Sequence, residues 1–244
     1  MLFLTISDNQ TKHFTAIISR IYLSTGEYRR LSGEVGNDIS KSRIETLTDG
    51  VFAIVMTLLV LEIAVPQLSH SEAAIELPKQ LLELWPVILS YGTSFIILGF
   101  FWIAHDYQFH YVKRANRTLL WITIFYLMFI AFVPFSTSLI GEYRDQQISV
   151  IIYGINISIV GLWEYIRWWY ATKDHRLIDS DLDPTFIRIM ARRFLLGPTI
   201  YLIAVAISFI SIQVSLVLFI ATPLYFAVSA TRKDKSWFWF TKNK

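Results

Sequence analysis

The sequence predicts an all-α membrane protein with six transmembrane helices, and two observations support this fold class. The 244-residue chain is 54% hydrophobic and only 17% charged, with a mean hydropathy of +0.47, which is atypical of a soluble globular protein. A helix needs about 20 largely apolar residues to cross a bilayer, and six segments meet this requirement. They cover residues 47–65, 84–105, 119–140, 148–168, 195–212 and 214–230. Their short connections leave no room for a separate soluble domain.

Prolines and a short connection define the later segments. The fifth is predicted to begin at Gly197–Pro198, because proline suits the first turn of a helix, where its missing N–H is not needed. We expect Pro134 and Pro223 to bend the third and sixth helices, since each removes a backbone hydrogen bond. Only Ile212 and Gln213 separate the fifth segment from the sixth.

Basic residues collect in alternate loops, and this predicts the orientation of the chain. Cytoplasmic loops of membrane proteins carry an excess of Lys and Arg close to the span ends. The enriched loops lie before the first span, between the second and third, between the fourth and fifth, and after the sixth. Their basic residues are Arg29, Arg30, Lys41, Arg43, Lys113, Arg114, Arg117, Lys173, Arg176, Arg188, Arg192, Arg193, Arg232, Lys233 and Lys235. The opposite loops contain only Lys79 and Arg144, so both termini are predicted to be cytoplasmic.

The span prediction divides the chain into three parts. Residues 1–42 are predicted to form a cytoplasmic extension, because their apolar runs are too short or too interrupted for a signal peptide or a span. Residues 43–232 form the predicted six-helix transmembrane domain, and residues 233–244 form a basic cytoplasmic tail.

Several classes of site are disfavoured by composition and spacing. The chain has no cysteine, so disulfides, thiol nucleophiles and cysteine metal sites are excluded. The acids of residues 179–183 alternate as in a calcium loop, but Pro184 and Met190 occupy positions that need Gly and Glu, which favours a solvated turn. His105 and His110 are five residues apart, which is not the spacing of a helical zinc pair. No metal site, cofactor or nucleic-acid partner is predicted.

The first apolar helix carries a continuous stripe along one face. Residues at i, i+3, i+4 and i+7 share a helix face, and these positions, with the two turns before them, are almost all apolar. The stripe consists of Leu47, Gly50, Ile54, Thr57, Leu58 and Leu61. Asp49 lies about 140° away from Ile54 around the helix, so its carboxylate is expected to face neighbouring helices. Ordinary helix packing is the simplest interpretation of such a stripe in isolation.

The segment that leads into this helix resembles the signature of the transmembrane protein 175 family of potassium channels. In that family Arg, three variable residues and Phe-Ser-Asp open the first pore helix. Arg43, Leu47, Thr48 and Asp49 match, with Leu for Phe and Thr for Ser. Residues 101–105, 113–121 and 133–137 also resemble the second and third spans of the family. The resemblance extends from Arg43 to the end of the sixth span.

The resemblance implies a role for the apolar stripe. Positions equivalent to Ile54, Leu58 and Leu61 form the narrow part of the family's conduction path, and Thr57 falls where the family has a threonine layer implicated in preferring potassium. The signature occurs once in this chain, and a single helix cannot enclose a path. Several subunits must therefore surround a symmetry axis. The resemblance implies a homotetramer, as in bacterial members, in a bacterial plasma membrane.

The resemblance also implies an unusual basis for selectivity. The chain has no Thr-Val-Gly-Tyr-Gly loop, so a carbonyl filter of the ordinary potassium-channel kind is excluded. A ring of Ile and Leu offers no oxygen ligands, and potassium releases water more readily than sodium. We therefore expect a modest preference for K⁺ among monovalent cations, with Thr57 hydroxyls replacing part of the lost hydration. The same ring is expected to gate by excluding water.

Other functional classes have weaker support. A secondary transporter would show internal repeats and broken helices with charges at the midplane, and an intramembrane enzyme would need paired ionisable groups at membrane depth. Neither pattern is recognised here, and no enzymatic activity is expected. A proton-permeable leak pathway remains an alternative.

The charged and polar signature residues are interpreted as scaffold rather than as ion ligands. Thr48 is expected to cap the first helical turn and Asp49 to interact with the helix dipole, with His105 as a hydrogen-bond partner of the Arg43, Thr48 and Asp49 group. Glu164 and Arg167, three residues apart, are expected to form a local ion pair. Glu62 either attracts cations to the pore mouth or is an ordinary interfacial acid.

Overall fold

A computed structural model describes the backbone of residues 40–231 and the side chains of residues 40–225. The predicted extension before residue 40 and the tail after residue 231 lie outside this description. The described residues form eight α-helices, with 3-10 turns at Leu59–Glu62 and Lys173–His175. The helices are α1 (Lys41–Leu58), α2 (His70–Glu83), α3 (Trp85–Tyr111), α4 (Arg117–Ala131), α5 (Val133–Glu142), α6 (Gln147–Thr172), α7 (Pro184–Ser208) and α8 (Ile212–Thr231).

The helices confirm the predicted all-α membrane architecture. Five helical segments are long and apolar enough to cross a membrane. They are Lys41–Glu62, Trp85–Tyr111, Arg117–Glu142, Gln147–His175 and Pro184–Ser208. The sixth predicted segment corresponds to α8, which is apolar over Ile212–Tyr225, the part whose side chains are described. Every predicted span therefore coincides with an apolar helix.

The structure confirms one proline prediction and contradicts another, while the third proline, Pro223, lies inside α8. The third span breaks at Phe132, so that α4 ends and α5 begins with Pro134 in its first turn. The prediction that α7 begins at Gly197–Pro198 is wrong, because α7 begins at Pro184, and Pro198 lies in its interior. The helix continues through Pro198 because tertiary packing offsets the lost backbone hydrogen bond.

Small residues on α6 allow α7 to approach closely. A Cβ added to Gly161 would lie 2.7 Å from the Pro198 ring, and one added to Gly154 would lie 2.3 Å from a methyl group of Val205. Between these glycines, the Ser158 hydroxyl donates to the Gly154 carbonyl and, at 3.4 Å, to that of Pro198. Membrane helices commonly pack through such small-residue faces. The packing of α6 on α7 therefore explains how an interior proline is accommodated.

Buried hydroxyl and amide groups join α3, α5 and α6. The Thr137 hydroxyl donates to Ser94 Oγ at 2.8 Å, and Ser94 Oγ lies 3.0 Å from the Tyr153 hydroxyl. Asn156 Nδ2 donates to Ser136 Oγ at 3.1 Å. Hydrogen bonds of this kind hold apolar helices together where hydrophobic burial alone gives little preference. They fix α5 after the break in the third span.

The short helix α2 connects the first and second spans and was not predicted. Ser69 caps it in a capping box. The Ser69 hydroxyl and amide both donate to the Glu72 carboxylate, the amide at 3.2 Å, and the Glu72 amide donates back to the Ser69 side chain. These hydrogen bonds from Ser69 hold the pKa of Glu72 below its ordinary value. None of the α2 residues is buried, and Ile75 and Leu82 are among its exposed apolar side chains.

Candidate functional site

One face of α1 packs against the rest of the helical bundle. Its buried residues recur every three or four positions, as expected for one face of a helix. They are Ile44, Thr48, Phe52 and Val55, followed by Leu59 in the 3-10 turn. The Phe52 ring lies 6.1 Å from that of Tyr126 on α4. The buried face therefore fixes the rotation of α1 about its own axis.

The opposite face of α1 is exposed along its whole length and contains the predicted stripe. Ile54 is 60% exposed and Leu61 is 72% exposed, although both are large aliphatic residues on a membrane-spanning segment. Leu47 and Leu58 are exposed on the same face. Within one chain this face is covered by no other described helix. Among the described residues, nothing prevents this face from contacting lipid or other copies of the chain.

Thr57 interrupts this aliphatic face with a hydroxyl group. Its side chain is exposed. Thr57 Oγ1 lies 2.9 Å from the Ala53 carbonyl oxygen and 2.8 Å from that of Ile54, and it donates its hydrogen to these two acceptors. Because the hydroxyl has one hydrogen, this donation leaves its lone pairs as acceptors. A hydroxyl in this state can offer an oxygen ligand to a cation.

Asp49 is exposed, and its side chain is hydrogen-bonded to α3 by a partner that the sequence analysis did not predict. Trp102 Nε1 donates to Asp49 Oδ1 at 2.9 Å. Arg43 lies on the exposed face, and no ion pair joins it to Asp49 in the part of the chain that the structure describes. The Asp49–Trp102 hydrogen bond therefore links the exposed helix α1 to α3.

Two expectations about the signature residues need correction. The prediction that Thr48 caps the first turn and that Asp49 lies at the helix start is wrong, because α1 begins at Lys41 rather than at residue 47. Thr48 is fully buried, and its hydroxyl donates to the Ile44 carbonyl at 2.9 Å. The helix dipole acts mainly within the first and last turns, so it contributes little at Asp49.

His105 does not join the signature group in this structure. It is buried against Phe109, with ring centroids 4.3 Å apart, and neither ring nitrogen has a hydrogen-bond partner among the described residues. Trp102 precedes it by three residues, which is about 60° of rotation on the helix. The longer indole therefore reaches Asp49, while His105 points into the bundle.

A buried ionic cluster lies beside His105. Glu164 and Arg167 form the predicted ion pair, with Oε1 and Nη2 2.7 Å apart, and their exposed fractions are only 2% and 0%. Arg167 Nε donates to Gln108 Oε1 at 3.0 Å, and Gln108 Nε2 donates to the Glu164 carbonyl at 3.0 Å. The Arg167 guanidinium also lies 4.5 Å from the centroid of the Tyr126 ring. This cluster joins α3, α4 and α6.

Sequence reasoning missed the burial of this pair but contained a signal for it. Opposite charges three residues apart inside an apolar segment predict an internal pair, because a lone charge at membrane depth is costly. The sequence analysis predicts only a local ion pair. The structure buries this pair, with the Arg167 guanidinium 5.6 Å and 4.5 Å from the centroids of the Phe109 and Tyr126 rings.

The loop of residues 179–183 has a structural role. Asp183 caps α7, with its Oδ1 accepting from the Thr185 amide at 2.9 Å. Among the described residues, no group of three or more His, Cys, Asp or Glu side chains is placed to hold a metal ion.

Comparison with known proteins places this arrangement in a family. A family model described as the endosomal/lysosomal potassium channel TMEM175 matches residues 43–134. A protein of Chamaesiphon minutus named potassium channel is 36% identical over 190 residues, which cover 76% of this chain and 93% of that protein. The chain belongs to the TMEM175 family. A TMEM175 relative in Streptomyces collinus, also named potassium channel, is 32% identical over 75% of this chain and 90% of its own length.

A solved structure of a TMEM175 homologue has the same fold. The crystal structure of a C. minutus protein, described as a lysosomal potassium-selective channel TMEM175 homolog, superposes with a TM-score of 0.69 at 32% identity. The match covers 79% of this chain and 98% of that one. The chicken relative is named an endosomal/lysosomal proton channel, and the matched region is 34% identical but covers only 23% of that protein. These relatives are named as ion channels.

Proposed function

We propose that this TMEM175 family member is a homotetrameric, potassium-permeable cation channel in a bacterial plasma membrane. The observation that carries the proposal is the exposed face of α1, on which large aliphatic residues and one threonine recur at helical spacing. The two bacterial relatives named potassium channel support potassium as the permeating ion. Both termini are proposed to be cytoplasmic, because the basic loops lie on that side.

The conduction path is proposed to form between subunits. One helix cannot enclose a path, so each subunit contributes the exposed face of its α1 around a shared axis. Association would cover Ile54, Leu58 and Leu61 without rearranging the bundle, because the opposite face of α1 is already packed. These three side chains form the proposed constriction. Four subunits are proposed because the family resemblance implies this number for bacterial members.

The scaffold residues are proposed to hold α1 in the orientation that this path needs. The hydrogen bond from Trp102 fixes Asp49, and the buried Thr48 packs on the opposite side from the stripe. Leu47 and Arg43 continue the exposed face toward the cytoplasmic entrance. His105 supports α3 from inside the bundle rather than through the signature group.

Selectivity is proposed to depend on partial dehydration at the aliphatic ring. Ile and Leu side chains supply no ligands, so the ion loses water there at a cost that is lower for potassium than for sodium. Thr57 lies beside this ring, and its lone pairs are available because its hydrogen is held by its own helix. A ring of four such hydroxyls would replace part of the lost hydration.

Replacing Thr57 with Val is expected to lower the preference for potassium over sodium. The substitution removes the oxygen ligand but keeps the shape of the side chain, so conduction should continue. The measurement is the reversal potential of the purified protein in a bilayer with potassium on one side and sodium on the other. Thr199→Val on α7 is the matched control, because Thr199 is also exposed and also donates to its own helix, to Leu195 O at 2.7 Å. Equal reversal potentials in all three proteins would contradict the threonine layer.

The same recordings distinguish the alternative functions. A channel gives unitary current steps, whereas a secondary transporter turns over too slowly to show them. Proton permeation is a second candidate, because the animal relatives are named proton channels. A reversal potential that follows the pH gradient rather than the potassium gradient would favour it over potassium conduction.

A further inference from the structure

The turn between α6 and α7 has an unusual backbone. Asp174 and His175 have φ values of 54° and 51°, in the left-handed region that non-glycine residues seldom adopt. This turn reverses the chain directly after α6. Just before the turn, Lys173 Nζ lies 5.0 Å from the centroid of the Trp169 ring, and after it Arg176 Cζ lies 4.6 Å from that of Tyr170. Two cations are therefore held over two aromatic rings in the last turn of α6.

A third cation reaches the same turn from the loop between α3 and α4. Arg114 Nη2 donates to the His175 carbonyl at 3.3 Å. The two loops are joined by backbone hydrogen bonds from Lys113 and Arg114 to the Leu177 carbonyl, at 2.8 and 3.2 Å. The position of Arg114 relative to the turn is therefore fixed by the backbone rather than by one long side chain.

The ring beneath Arg176 is fixed as well. Asn116 Nδ2 donates to the Tyr170 hydroxyl at 2.9 Å, while Asn116 Oδ1 accepts from the Leu119 amide and caps α4. A guanidinium stacked on an aromatic ring keeps its N–H edge free to donate. Arg176 is thus held over the ring with N–H groups at the edge of its guanidinium plane, where they can donate to a further partner.

The three cations are not neutralised within the described part of the chain. No carboxylate lies within 4.0 Å of Arg114, Lys173 or Arg176 there, although Asp174 belongs to the same turn. All three cations are exposed. In the described part of these loops, an ion pair joins the neighbouring Lys113 to Asp179, at 3.9 Å. The cluster therefore carries excess positive charge, and each guanidinium has more N–H donors than its contacts with His175 or Tyr170 use.

The level of the cluster along the membrane normal indicates which anion it faces. Trp169 is 48% exposed at the end of a membrane-spanning helix, and exposed Trp and Tyr rings settle at the lipid headgroups. Basic clusters between transmembrane helices bind anionic headgroups, and a guanidinium fork matches the oxygens of a phosphate. We propose that Arg114, Lys173 and Arg176 form a binding site for the phosphate of an anionic phospholipid in the adjacent leaflet.

The test uses the full-length protein and measures lipid affinity by native mass spectrometry from a neutral detergent. We expect phosphatidylglycerol to bind more tightly than phosphatidylcholine. In the double variant Arg114→Gln/Arg176→Gln the affinity for phosphatidylglycerol should fall about thirtyfold, since each basic residue near the surface contributes roughly 1 kcal/mol and about 1.4 kcal/mol corresponds to a factor of ten. The charge-matched control is Arg188→Gln/Arg192→Gln, which removes two exposed arginines from α7 and should leave the affinity within about twofold of the wild type.

Several outcomes would overturn the proposal. Equal affinities for the two lipids would exclude an anionic headgroup site, and equal losses in both double variants would show only unspecific attraction by net charge. Displacement of phosphatidylglycerol by millimolar inorganic phosphate would assign the site to free phosphate instead. If the double variant does not fold, Arg176→Lys keeps the charge but removes the fork, and an unchanged affinity there would exclude the guanidinium contact.

Discussion

Replacing Glu164 with Gln is expected to destabilise the folded chain by about 3–5 kcal/mol, because it leaves the Arg167 guanidinium buried without a counter-charge. The Gln108 side chain and the Tyr126 ring still contact Arg167, but neither carries a negative charge. The measurement is unfolding of the purified protein in detergent, followed by circular dichroism against a denaturant.

A double variant at the buried ion pair and a variant at a surface ion pair serve as controls for this prediction. In Glu164→Gln/Arg167→Met both charges are removed, and we expect the loss of stability to be much smaller than in the single variant. Glu45→Gln breaks the partly exposed Lys41–Glu45 pair, whose ions are 3.4 Å apart, and should cost less than about 1 kcal/mol. If the single and double variants at the buried pair were equally stable, the ionic interaction would not be what holds α3, α4 and α6 together.

Replacing Leu58 or Ile54 with Asn is expected to raise the resting conductance. A narrow ring of aliphatic side chains excludes water and opposes ion passage, and an amide at the same position lets water and ions enter. A fall of about 1.4 kcal/mol in the barrier raises the rate about tenfold, so an increase of at least that size is expected for a single polar ring. Potassium flux from loaded vesicles measures it without an opening stimulus.

The control for this experiment places the same side chain elsewhere in the membrane domain. Leu202→Asn changes an exposed leucine on α7 and should leave the flux at the wild-type level. A wild-type flux in both Leu58→Asn and Ile54→Asn would locate the constriction elsewhere. A rise in Leu202→Asn as large as in Leu58→Asn would show that the leak follows damage to the bundle.

The sequence predicted the spans well and their ends less well. Hydropathy identifies the stretch that lipid requires, but α1 and α7 begin well before their predicted spans, in more polar sequence. Lys41 and Arg43 belong to α1, although these charged residues lie outside the apolar segment that hydropathy identifies. Pro198 was assigned to a helix start from local preference, whereas packing against Gly161 holds it inside the helix. Such tertiary contacts cannot be inferred from the sequence of one segment alone.

The candidate site was predicted more completely on α1 than beyond it. A stripe at helical spacing is a property of one segment, so the exposed face from Leu47 to Leu61 could be derived before the fold. The hydrogen bond between Asp49 and Trp102 joins residues 53 positions apart in sequence. Whether Trp102 or His105 meets Asp49 depends on the rotation of α3, which α4 and α6 determine through the cluster at Gln108.

The most direct test of the proposed path uses the absence of cysteine from the chain. In Leu58→Cys the introduced thiol would lie in the path, and silver ions, which bind thiols, are expected to abolish the potassium current. The wild type and Leu202→Cys should keep their currents under the same treatment. A full potassium current in Leu58→Cys after silver treatment would contradict a conduction path lined by the exposed face of α1.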